Sequence, residues 1–165
     1  MSGRRHKNPP DPEHARDPDA AHGAAVALLA RRDFASAELR KRLASEGFDS
    51  ATIAAVVAEL IDERTVDDAR YATHYVASHA SRGQGPLRVG ADLKGLGLSE
   101  GLIDAALRSG PDWSALASEV LARKFGGRPP RSRTELARRA RFLQYRGFSS
   151  DHIRSALGTL FEPDE

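Results

Sequence analysis

Nine basic side chains lie between positions 123 and 146, with a single carboxylate, Glu135, among them. They are Arg123, Lys124, Arg128, Arg131, Arg133, Arg138, Arg139, Arg141 and Arg146. The arginine guanidinium is a planar fork of donors that fits carboxylate or phosphate oxygens. The chemistry on offer is therefore recognition of an acidic protein surface or of a polyphosphate chain. The plain alternative is a solvated arginine-rich face. Arg138 and Arg141 are three apart with Arg139 beside them. If Leu136, Phe142 and Leu143 point inward, these three arginines are expected to face outward. Together with Arg146 and the mid-chain cations Arg82, Arg88 and Lys94, they make up the candidate contact set.

Other chemistries find less support. His74 and His79 are five apart, which separates them on a helix. Glu59, Asp62, Glu63, Asp67 and Asp68 cluster around a turn without a metal-ligand pattern, and capping and solvation account for them. There is no cysteine, hence no disulfide framework and no thiolate site. Gly83-x-Gly85 lacks the third glycine and the preceding strand of a dinucleotide fingerprint, and no GK[ST] phosphate loop is present. Tyr71, Tyr75, Trp113 and Phe125 stand at helical spacing and read as core, not as stacking platforms. With no nucleophile–base pair, the expectation is a protein without catalytic, cofactor or metal residues that works by binding. No apolar run reaches the roughly 18 residues of a membrane span, and residues 1–18 contain no apolar signal core. A cytoplasmic, monomeric protein is expected.

These side chains are carried by a repeat. Leu43, Gly47, Phe48 and Ile53 recur as Leu93, Gly97, Leu98 and Ile103, and again as Leu143, Gly147, Phe148 and Ile153, at a period of 50 residues. Val57, Leu107 and Leu157 continue the register. Glycine past a helix end supplies a positive φ, and Asp49, Ser99 and Ser149 follow where the next helix needs a cap. The expected fold is all-α: nine helices in an elongated array of three tandem three-helix repeats. Its expected divisions are a disordered tail over 1–18, repeats over 19–64, 65–110 and 111–161, and an acidic tail over 162–165. In the tail Pro9, Pro10, Pro12 and Pro18 are read as blocking helix, and Asp19 as capping the first helix, with Val26, Leu28 and Leu29 as its apolar residues.

A DNA-reading helix–turn–helix is a sharper possibility, and the residues argue against it. After the first turn the outward positions are Ser50, Ala51, Ala54 and Ala55, which offer base edges almost nothing. After the second they include Glu100 and Asp104, which phosphates repel; only the third offers His152 and Arg154.

In its ordered motifs the chain resembles the RecX family of recombinase regulators. The matching stretches are Ala37-Glu38-Leu39-Arg40 with Leu43 and Gly47-Phe48; Asp67-Asp68-x-Arg70-Tyr71-Ala72; Arg82-Gly83-x-Gly85-Pro86-x-Arg88-Val89 with Asp92-Leu93 and Gly97-Leu98; and Phe142-Leu143-x-x-Arg146-Gly147-Phe148-Ser149. The resemblance implies tandem three-helix repeats and a non-enzymatic protein. It also implies binding to the RecA filament in or near its groove, with inhibition of filament growth, ATP hydrolysis and strand exchange, and contact with DNA. Ala35 departs from the pattern, which often has Ser there as a cap paired with the acid three residues on. The second helix is therefore expected to fray at its start. The competing expectations are a sequence-independent DNA-binding protein and a helical scaffold for an unrelated partner.

Overall fold

The computed structural model describes residues 11–158; positions 1–10 of the expected tail, Leu160 and the acidic segment 162–165 lie outside them. Among the described residues there are ten helices and no strand: α1 (Pro12–Ala15), α2 (Pro18–Leu29), α3 (Ser36–Ser45), α4 (Ser50–Asp62), α5 (Asp68–Ser81), α6 (Pro86–Gly95), α7 (Glu100–Arg108), α8 (Trp113–Phe125), α9 (Arg133–Arg146) and α10 (Ser150–Leu157). The nine expected helices are α2–α10. The tenth, α1, lies inside the stretch expected to be a disordered tail. The prolines there start helices instead of blocking them: Pro12 and Pro18 occupy first-turn positions, where a missing N–H costs nothing. Asp17, not Asp19, caps α2, its carboxylate accepting from the amides of Asp19 and Ala20 at 2.9 and 3.1 Å.

The chain divides into two compact units, Met1–Asp68 and Ala69–Glu165. In the first, Leu39 and Leu43 of α3 and Ile53, Val56, Val57 and Leu60 of α4 are buried at helical spacing. Full burial of such a side chain contributes about 1.5–3 kcal/mol. From α2 the inward stripe is Ala21, Ala25 and Leu28, which leaves Val26 45% exposed. The short helix α1 is held by His14, whose ring lies 5.1 Å from that of Phe48, and by the Asp49 amide, which donates to the Ala15 carbonyl at 2.9 Å.

The start of α3 is satisfied, contrary to the expected fraying. Ala35 provides no side-chain cap. Instead the amide and hydroxyl of Ser36 donate to the carboxylate of Asp68 at 2.7 and 2.6 Å, from 32 residues along the chain. Local spacing cannot reveal such a partner, whose effect is that of a helix cap, about 1 kcal/mol.

In the second unit Val76, Val89, Leu93, Leu98, Ile103 and Ala106 are buried on α5–α7 and the turn after α6. Ala117, Val120 and Leu121 of α8 pack with Leu143, Phe148 and Leu157, and Trp113, Leu116, Phe125 and Leu136 close on them. Ser99 and Ser149 cap α7 and α10 as their spacing leads one to expect, and Asp112 and Ser132 cap α8 and α9; each side chain accepts from the amide three residues on. Gly47, Gly97 and Gly147 all have positive φ, +102°, +84° and +92°.

Candidate polyanion-binding face

The site is assembled within the second unit by a backbone junction. The segment after α5 runs across the end of α9: the Gly85 amide donates to the Arg146 carbonyl at 2.7 Å, and the Leu87 amide to the Gly147 carbonyl at 2.9 Å. The Arg146 guanidinium returns a bond to the Arg82 carbonyl at 3.2 Å. Two glycines permit this approach. A Cβ on Gly85 would overlap the Gly147 backbone, and a Cβ on Gly147 would overlap Arg88. The junction fixes Arg82 and Arg88 beside α8 and α9.

Two adjoining clefts result. The larger, about 440 Å³, is lined by Arg88, Lys124, Phe125, Arg138, Arg141, Phe142, Tyr145 and Arg146. The smaller, about 240 Å³, is lined by Arg82, Gly83, Val120, Arg123, Lys124, Phe142 and Arg146. They share Lys124, Phe142 and Arg146, and no carboxylate lines either. On α9, positions 138, 141 and 145 share one helical face. Phe125 and Phe142 meet edge to face, centroids 5.4 Å apart. The Arg138 guanidinium lies 5.5 Å from the centroid of Phe125, that of Arg146 5.4 Å from Phe142, and the Lys124 ammonium 5.9 Å from Phe142. Such contacts contribute about 0.5–1 kcal/mol each at exposed sites and hold the cations over the floor of the clefts. Arg123 also pairs with Glu119 one turn back along α8.

Five of the seven sequence candidates converge here: Arg82, Arg88, Arg138, Arg141 and Arg146. Lys94 does not; it is exposed and stands 3.8 Å from Glu100, away from both clefts. Arg139 is a correction. Expected to face outward, it is 3% exposed. Its Nη1 donates to the Arg128 carbonyl and its Nη2 to Glu135 Oε1, both at 2.7 Å, and its guanidinium lies 5.1 Å from the Phe125 ring. Arg139 therefore pins the loop before α9 to the helix and is not a contact residue. Helical arithmetic contains the reason: 139 is four residues before the buried Leu143 and three after Leu136, on their face. Glu135 is held below the usual carboxylate range by the Arg131 amide and then by Arg139. Arg123, Lys124 and Tyr145 were absent from the candidate set. The spacing 138, 141, 145 was the available signal for Tyr145.

Among the described residues no group of three or more His, Asp or Glu is placed to hold a metal ion, and no helix is long and apolar enough to cross a membrane.

Comparison with known proteins accounts for the repeat. Models of the first, second and third three-helix domains of RecX match residues 21–60, 67–107 and 112–157. The chain belongs to the RecX family. A regulatory protein RecX of Halorhodospira halophila is 40% identical over 89% of this chain and 92% of its own length. That of Chromohalobacter salexigens is 42% identical over 84% and 91%. The crystal structure of RecX from Lactobacillus salivarius shares the fold, with a TM-score of 0.77 at 23% identity, covering 88% of this chain and 97% of that one. The second and third RecX domain matches together contain every residue of the two clefts: Arg82, Gly83 and Arg88 in the second, the lining residues of α8 and α9 in the third.

Proposed function

We propose that this RecX-family protein is a cytoplasmic, monomeric regulator of a RecA-type recombinase. It binds the filament that the recombinase forms on DNA and inhibits ATP hydrolysis, filament extension and strand exchange, and so modulates repair and recombination. Family membership supports a regulatory role. The observation that carries the reading further is the paired cleft, seven cations around two phenylalanines with no carboxylate in the lining. A polymeric acidic target, whether filament protein or DNA phosphate, meets such a surface at many points. Contacts from more than one repeat then sum through high effective concentration. Occupying the filament in this way hinders the subunit rearrangements that turnover and strand exchange require. The protein itself carries out no chemistry in this reading.

The test is ATP turnover by a recombinase already assembled on single-stranded DNA, with this protein added far below the recombinase concentration. Inhibition by a few molecules per filament is expected. Inhibition that begins only as the DNA becomes saturated would instead identify a protein that coats DNA without a recombinase partner.

A further inference from the structure

The larger cleft contains three aromatic rings in unequal states. Phe125 and Phe142 are spent on each other and on cations of the protein itself: Arg138 and Arg139 lie over the first, Lys124 and Arg146 over the second. Tyr145 is 89% exposed. Among the described residues it makes none of the ring or cation contacts that engage the other two. An aromatic side chain that far in solvent normally gains by packing against its neighbours; this one stands clear, with Arg88, Arg138, Arg141 and Arg146 around the same cleft.

We propose that Tyr145 is a stacking platform for an unpaired base, and that the cleft takes single-stranded nucleic acid in preference to duplex. The cations track a phosphate backbone, which single and double strands both present. The ring adds what only an unpaired strand can use, because in a duplex each base face is covered by its neighbours. Stacking on an aromatic is tolerant of base identity, consistent with the scarcity of base-reading side chains after the helix turns. An acidic protein surface uses the same cations, but it leaves the exposed ring without a planar partner. The inference deepens the reading of this face. Its test uses DNA without any recombinase, so the two readings can fail separately.

Binding of the full chain to a fluorescein-labelled oligothymidine strand is compared with binding to a duplex of equal length and to an abasic strand with the same phosphates, at several salt concentrations. Tyr145→Ala should weaken binding to the oligothymidine strand about tenfold, leave duplex and abasic binding unchanged, and preserve the salt slope. Tyr145→Trp should retain single-strand binding, with its added fluorescence quenched by the strand. The ring is exposed, so circular dichroism should be the same for all three proteins. Equal losses on strand and duplex, or no loss on the strand, would overturn the proposal. Loss of recombinase inhibition in Tyr145→Ala with DNA binding intact would do so too, and would assign the ring to a protein contact.

Discussion

The turns at Gly47 and Gly147 have the same local design and opposite uses. Each follows a helix with a leucine in its last turn, Leu43 or Leu143, and in each a phenylalanine, Phe48 or Phe148, comes directly after the glycine. Each has positive φ, and in each the phenylalanine amide returns to the leucine carbonyl, at 3.4 Å in the first and 3.1 Å in the third. Each also receives a second segment. At the first turn the visitor is α1, which brings His14 onto Phe48 and the Ala15 carbonyl onto the Asp49 amide. It completes a unit, and neither of the two basic clefts draws on it. At the third the visitor is the segment from the end of α5 into α6, which brings Arg82 and Arg88 to the cations of α8 and α9. The motif therefore does not determine function; what docks on the turn does. Gly147 has a backbone conformation to satisfy and also a neighbour to admit.

The sharpest way to break this comparison is one substitution made at both turns. Gly147→Ala places a methyl group into Arg88 as well as straining φ, so a loss of about 2–5 kcal/mol is expected. Gly47→Ala strains the same positive φ, at a cost of about 1–2 kcal/mol. Chemical denaturation of each variant measures both. Equal losses would mean that the junction at Gly147 is not under constraint.

A smaller effect distinguishes the same regions by pH. Asp49 beside the first turn is held below the ordinary carboxylate range by the hydroxyl and amide of Thr52. Glu135 on α9 is held down by the Arg131 amide and by Arg139. For both, the folded value lies below the unfolded one. Their stabilisation is complete above the ordinary carboxylate range and is lost as pH falls through the depressed folded value. Protonating Asp49 releases a half-buried cap. Protonating Glu135 also strips the counter-charge from buried Arg139. Amide exchange at low pH should therefore show a larger loss of protection in α9 than in α4; a larger loss in α4 would contradict this reading.

Much of this was legible in the sequence because it is local. Helix spacing, glycine at the helix ends and the capping residues placed α2–α10. Most of the basic clefts followed from where the cations lie along α8 and α9. What was not legible depends on distant partners. Asp68 caps α3 from 32 residues away, and no local pattern announces it. Charge alone puts Arg139 outside; helical phase puts it inside. Counted from Leu143 it belongs inside, where Glu135 and the Arg128 carbonyl receive it. Lys94 was chosen on charge alone, and its helix carries it away from the clefts. Pro12 and Pro18 suggest helix breaks by type, although both occupy first helical turns.

The account centres on the cationic face of the second unit, and charge reversal with a matched control tests it most directly. Arg138→Glu with Arg141→Glu changes two exposed residues of α9; Arg40→Glu with Lys41→Glu makes the same change in charge on exposed positions of α3. Both proteins should keep their helical content. Recombinase ATP turnover on single-stranded DNA should escape inhibition by the α9 variant and remain inhibited by the α3 variant. Equal inhibition by the two would contradict the assignment of the working face to the clefts around α8 and α9.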